Sequence, residues 1–153
     1  MLMTGDVVSL WVATKLGITI DLDKTAGVGW TDVEGHLLMG AAFYNYSGRN
    51  MYIHVYCCPG HRLVPTFVAA MMDYPFNQAR VQRLTGLIPA KSECGKALAI
   101  RLGGVLEGTL RECLAEDDLL VYGLLKRDAA RWLTAAYQRR LRPIGEAYGK
   151  VIA

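Results

Sequence analysis

Between positions 51 and 57 the chain reads Met51-Tyr52-Ile53-His54-Val55-Tyr56-Cys57, with aliphatic or sulfur side chains alternating with aromatic or imidazole ones. A period of two sorts these kinds onto opposite faces of an extended strand. The neighbouring sequence supplies partners for it. Residues 26–30 and 37–46 are apolar runs separated by the polar, glycine-containing turn Asp32-Val33-Glu34-Gly35, and Ser47-Gly48-Arg49-Asn50 makes a second turn. Such spacing predicts a meander of three antiparallel strands. Pro65 then stands where the first turn of a helix tolerates a missing N–H. Phe67, Val68, Met71 and Met72 give that helix an apolar stripe before Tyr74-Pro75 ends it.

On either side of this centre, helices and strands alternate. Residues 6–16 place Val7, Val8, Leu10, Trp11 and Leu16 at near-helical spacing, with Thr4 or Asp6 as cap and Gly17 as stop. Downstream, the pattern predicts a strand over 81–88, a helix over 92–102 stopped by Gly103-Gly104, and strands over 105–110 and 118–125. Leu133, Tyr137, Leu141, Ile144, Tyr148 and Val151 recur at steps of four and three, one face of a last helix that Pro143 should kink. Tyr122 and Trp132 are expected to be buried, and Gly108 to mark a bulge or turn where valine would destabilise the domain.

With 153 residues and 52% hydrophobic side chains, the chain can fill one well-buried core. Cys57, Cys58, Cys94 and Cys113 show no CxxC spacing, and adjacent cysteines do not easily bridge, so reduced thiols in a cytoplasm are expected, with no metal site. The first residues carry no basic cluster, and the apolar runs are interrupted well short of a membrane span, so no membrane association is expected. A net charge of +3 is small. Basic residues crowd the end (Lys126, Arg127, Arg131, Arg139, Arg140, Arg142, Lys150), but a solvated face of a terminal helix accounts for them, and nucleic acid is not an expected partner.

Three stretches carry a more specific signal: Val81-Gln82-Arg83-Leu84-Thr85-Gly86-Leu87-Ile88-Pro89-Ala90, then Leu102-Gly103-Gly104-Val105-Leu106-Glu107-Gly108-Thr109-Leu110-Arg111-Glu112, and Asp118-Leu119-Leu120-Val121-Tyr122-Gly123-Leu124-Leu125-Lys126. In order and spacing they resemble the second half of the GNAT N-acetyltransferase superfamily, most strongly over residues 73–133. Asp73-Tyr74-Pro75-Phe76-Asn77-Gln78 also resembles short GNAT-like proteins encoded by bacteriophages. The resemblance implies an α/β (α+β) fold with a mixed, mostly antiparallel sheet, flanking helices and a C-terminal helical extension. A GNAT-like domain would span residues 1–133 and the extension 134–153, packed on the same domain, on a second copy or on another protein. It also implies a host cytoplasm or a virion as the location if the source is a phage.

What the family does would then apply here: transfer of an acetyl group from acetyl-CoA to an amine of unknown acceptor. Family members hold acetyl-CoA where two parallel strands splay apart, which maps onto Val55, Tyr56 and Cys57 in the first strand. The pyrophosphate would lie at the helix start, at Arg62, Leu63, Val64 and Thr66, with Ser92 opening the next helix. A backbone N–H near Val55 or Tyr56 would stabilise the oxyanion. His54 and Tyr56, on one face of their strand, and Glu107, the nearest carboxylate in a later strand, are the catalytic candidates. The family's phosphate loop, Arg/Gln-x-x-Gly-x-Gly/Ala, here reads Arg62-Leu63-Val64-Pro65-Thr66-Phe67. Pro65 removes a donor and Phe67 adds bulk, which predicts weakened pyrophosphate binding. The tyrosine that many members use as general acid falls on Ala99, and Leu-Gly-Phe becomes Leu102-Gly103-Gly104. These departures support an alternative, a catalytically degenerate binding or structural module such as a virion component.

Overall fold

The structure, a computed structural model, describes residues 1–141. Ile144, Tyr148 and Val151 of the expected terminal stripe, the kink at Pro143, and Arg142 and Lys150 of the basic cluster lie outside the described residues.

Seven strands form one sheet in the order β1-β2-β3-β4-β5-β7-β6. β1 (Leu2–Thr4), β2 (Thr25–Thr31), β3 (Leu37–Tyr44) and β4 (Asn50–Cys57) are antiparallel neighbours. β5 (Arg83–Pro89) is parallel to β4, and β7 (Asp117–Leu125) joins β5 antiparallel with β6 (Val105–Leu114) at the edge. The predicted meander is present. The three-residue β1 is an addition too short for periodicity to reveal.

On one face lies α1 (Asp6–Leu16). Its C-terminus is closed by Gly17 in the left-handed region at φ 65°, as expected, but Gly5 stands at its N-cap and no side chain caps it. The buried side of α1 is Val8, Ser9, Val12 and Ala13, whereas Val7, Leu10 and Leu16 are exposed. The helix turns this side inward because small residues await it. A Cβ on Gly27 would stand 2.5 Å from the Gly5 carbonyl oxygen, and one on Gly40 would stand 2.8 Å from Val12. Bare backbone at both positions lets α1 lie directly on β2 and β3.

On the other face, α2 (Pro65–Asp73) buries Phe67, Val68, Met71 and Met72 in the main core with Val28, Met39, Phe43, Met51 and Leu84. The stripe read from the sequence is therefore the buried one. α2 ends at Asp73 with Tyr74 as its C-cap, where the Tyr74-Pro75 pair predicts its end. Beyond it, Tyr74–Gln78 form one π-helical turn that buries Tyr74, Pro75 and Phe76. α3 (Glu93–Leu102) is capped by the Ser92 hydroxyl, which accepts from the Gly95 N–H at 3.2 Å, and ends at Gly103 with φ 103°.

Tyr122 is buried in β7, as the sequence predicts. Trp132 is only half-buried and lies in a 3-10 turn (Ala130–Trp132), where its indole N–H donates to the Leu102 carbonyl at 3.0 Å. Beyond it, Leu133 and Leu141 pack against the main core, and Tyr137 of α4 (Ala135–Gln138) meets the Trp132 ring edge-on. A bulge does fall between Leu106 and Gly108. A Cβ on Gly108 would nevertheless meet nothing within 4 Å, and its backbone is not left-handed, so the expected intolerance of valine there is overturned.

Candidate active site

The register of β4 and β5 defines the site. They pair from Asn50↔Arg83 to Ile53↔Gly86 and no further, after which His54 to Cys57 pair only with β3 and Leu87 to Pro89 only with β7. Two parallel strands thus separate in mid-sheet, and each turns a free backbone edge into the opening. The Cys58 N–H donates to the Leu38 carbonyl at 2.8 Å. Counting back by twos, the N–H groups of Tyr56 and His54 also point to β3, while those of Val55 and Cys57 point into the split. Of the two expected oxyanion donors, the Val55 N–H thus faces the split and the Tyr56 N–H is committed to the sheet.

The strand period also sorts the side chains. Val55 and Cys57 pack towards the main core, while His54 and Tyr56 turn to the face that carries α1. Tyr44 stacks on the His54 imidazole with ring centroids 4.9 Å apart and planes 9° from parallel, and Trp11 of α1 meets Tyr56 edge-on at 5.5 Å. Burial lowers the His54 pKa below its ordinary value, so the imidazole is neutral at neutral pH and free to take a proton. Burial first, and then the neighbouring Tyr52, push the Tyr44 phenol up to about 12. A groove of about 1500 Å³ runs from His54, Leu87 and Leu119 past Tyr44 to Tyr74 and Arg80.

Glu107 is not part of this cluster. It is the extra residue of the β6 bulge, two strands beyond β5, and its carboxylate takes both terminal nitrogens of Arg83 at 2.9 and 2.5 Å. The hydrogen bonds from Arg83 hold its pKa below the usual carboxylate range, opposite to what a base at neutral pH needs. Arg83 also donates to the Thr85 hydroxyl, which donates to Asn50, so the network fastens the closed end of the β4–β5 pair. Sequence reasoning missed Tyr44 and this network, because stacking and bulge geometry leave no mark in spacing. Tyr44 could have been found by pairing β3 with β4 residue by residue, which brings it beside Tyr52.

At the start of α2, Val64 is the N-cap and no side chain caps the helix. Among the described residues the Thr66 and Phe67 N–H groups at this positive end have no partner, while the Val68 N–H donates to the Val64 carbonyl at 3.0 Å. Arg62 is exposed, while Leu63 and Val64 pack against the core. Phe67 is wholly buried, with its bulk turned inward and away from the helix start. Pro65, at the first helical position, has no N–H to donate. The Ser92 hydroxyl is occupied in capping α3. Cys57 donates to the His61 carbonyl, and burial, with Cys58 beside it, raises its pKa, which makes it a poor nucleophile. Asp32, Glu34 and His36 cluster at the β2–β3 turn, where Asp32 accepts the Glu34 and His36 N–H groups. Among the described residues no helix is long and apolar enough to cross a membrane.

No protein-family model matches the chain, and no curated protein sequence does. Solved structures do. Mutant forms of the spermidine/spermine N-acetyltransferase SpeG from Vibrio cholerae align with a TM-score of 0.66 at 13% identity, over 86% of this chain and 98% of that one. SpeG in complex with CoA and spermine aligns with a TM-score of 0.61 at 17% identity, over 71% and 69% of the two chains. A probable acetyltransferase aligns with a TM-score of 0.60 at 22% identity, over 69% of this chain and 63% of that one. The chain has the fold of these acetyltransferases, the GNAT fold.

Proposed function

We propose that the protein transfers an acetyl group from acetyl-CoA to an amine, with His54 as the base. One observation carries this reading: the β4–β5 pairing stops at Ile53↔Gly86, immediately before a half-buried, neutral imidazole. The residues present fit acetyl-CoA. The free edge of β4 at Val55 and Cys57 can pair with an extended amide-bearing arm, and the uncapped start of α2, with Thr66 and Arg62, suits a pyrophosphate. When bound, the thioester supplies an activated acyl group. His54 then removes a proton as the amine nitrogen bonds to the acyl carbon, the Val55 N–H receives the developing negative charge, and the carbon–sulfur bond breaks to release a thiolate that takes up a proton. Tyr44 fixes the imidazole plane by stacking, and Tyr56 and Trp11 close the side of the site towards α1. CoA-complexed SpeG has the same fold and a polyamine ligand, which supports an amine acceptor. The proposed setting is a cytoplasm, the host's if the chain is phage-encoded.

A second reading, a binding or structural module, is favoured by the edge strand β6, where Val105, Leu106, Leu110 and Leu114 are all exposed. Kinetics separate the two. With a panel of primary amines and acetyl-CoA, release of free thiol is expected, and His54→Gln should lower kcat by about 100-fold, the usual scale of a general base, without loss of acetyl-CoA binding. The acid limb of the wild-type profile should lie below the ordinary imidazole value of 6.5. A folded protein that binds acetyl-CoA but shows no thiol release with any amine would favour the module.

A further inference from the structure

Two features on one side of the sheet leave apolar surface in water. α1 is apolar all round: Val8, Val12 and Ala13 face the sheet, while Val7 and Leu10, 68% and 54% exposed, stand one turn apart on its outer side. The outer side of a surface helix is ordinarily charged or polar, and a helix apolar on every side is one that something covers. Beyond α1, the same face of the sheet lies bare. α1 packs on β2, β3 and β4, whereas α2 and α3 lie on the opposite face, α2 in the main core and α3 with Gly95 against Ile88.

Register identifies the bare face. Tyr52, on the His54 side of β4, pairs with Thr85, so Leu87 two residues on shares that side. Leu87 pairs with Val121, Pro89 with Leu119, Leu119 with Leu110, and Val105 with Gly123. Directly opposed residues of antiparallel strands share a face, so Leu87, Val121, Leu119, Leu110 and Val105 make one aliphatic surface across β5, β7 and β6. Val105 is 57% and Leu110 45% exposed, and the other three are half-buried. A sheet face meant for water carries polar residues at these positions. The charges set among them, Arg83 and Glu107, neutralise each other.

We infer that a second copy of this chain covers the bare face, in a two-fold dimer where α1 of each protomer lies on the β5–β7–β6 face of the other. The fit is geometric. Three strands about 4.8 Å apart put about 10 Å between the outer two, the diameter of one helix. Two-fold symmetry fills both seats at once and withdraws both apolar surfaces from water. Residues 142–153 are not the cover, since Leu141, from which they continue, packs against the main core on the opposite face. The exposed parts of Val7, Leu10 and the bare face come to about 300 Å² of apolar surface per protomer. At the usual apolar share of about 60%, that is about 500 Å² per partner and about 1,000 Å² in all, the lower bound for a specific dimer. Such a contact forms at micromolar concentration and separates on dilution, leaving β6 exposed as in the single chain. Leu87 and Leu119 also line the groove beside His54, so the partner's α1 runs along the groove's open side. The inference does not depend on acetyl transfer.

The test is sedimentation velocity of the full chain from about 1 to about 200 μM, where a monomer–dimer equilibrium with a micromolar Kd is expected. Leu10→Glu on α1 and Leu110→Glu on β6 should each weaken association at least about 10-fold. Their melting temperatures in dilute solution should stay unchanged, because both positions are exposed in the single chain. Val105→Glu is the second face variant if Leu110→Glu does not fold. The decisive arm mixes the helix variant with the face variant. The intact helix of one then meets the intact face of the other, and the mixture should associate more tightly than either variant alone. A monomer at every concentration, a dimer that neither substitution weakens, or a mixture no tighter than its separate components overturns the inference.

Discussion

The two halves of the sheet are built differently. In β2 and β3 most residues are buried, between α1 on one face and the α2 core on the other. β6 is exposed along almost its whole length, and β7 is buried only at Tyr122, Gly123 and Leu124. The seam between the halves is the β4–β5 pair, where the split opens. The densely packed half holds His54 and Tyr44 in place, while the lightly packed half is fastened by pairing and by the Arg83–Glu107–Thr85–Asn50 network. Stability thus resides on one side of the site, and freedom to meet a partner or substrate on the other.

Matched truncations should expose that difference most strongly. Phe43→Ala, at a fully buried position, is expected to cost about 3–5 kcal/mol in denaturant unfolding, and Leu110→Ala on exposed β6 less than about 0.5 kcal/mol. Similar costs would mean that β6 is covered. Glycine substitutions sharpen the contrast. Gly27→Ala should cost about 2–3 kcal/mol, because its Cβ strikes the Gly5 backbone and Ser9 beneath α1, and its melting temperature should fall accordingly.

A smaller effect follows from His54. Its folded pKa lies below the unfolded value of 6.5, so the unfolded chain binds more protons as pH falls through that range. Its contribution is intact above 6.5, weakens as pH falls towards the folded value, and levels off below it. Unfolding of wild type and His54→Gln at stepped pH should show the wild type losing more stability on acidification. Parallel pH curves would contradict the burial of the ring. Smallest of all, Gly108→Val should shift stability by less than about 0.5 kcal/mol, since open space surrounds that position.

The same division governs what the sequence discloses. Periodicity located β2, β3, β4, α2 and α3 because their faces meet distinct surroundings, and caps such as Gly17, Ser92 and Gly103 mark chain reversals that only certain residues tolerate. Motif resemblance was strongest over β5, β6 and β7, where burial is lightest. For α1, hydrophobicity misled: Val7 and Leu10 face outward because packing against Gly27 and Gly40 selects Val8, Ser9, Val12 and Ala13. At the site, the alternation through His54 and Tyr56 was legible and correctly placed both on one face. The end of the β4–β5 pairing, the stacking of Tyr44, the inward turn of Phe67 and the engagement of Glu107 by Arg83 depend on register and rotamer, which spacing does not encode.

The most direct test of the central claim, that the split between β4 and β5 holds acetyl-CoA, is isothermal titration of the purified chain with acetyl-CoA and with CoA. The account predicts saturable binding in the micromolar range, about −8 kcal/mol for a Kd near 1 μM, weakened by Thr66→Pro at the α2 N-terminus. No saturable heat at ligand concentrations about 100-fold higher would contradict it.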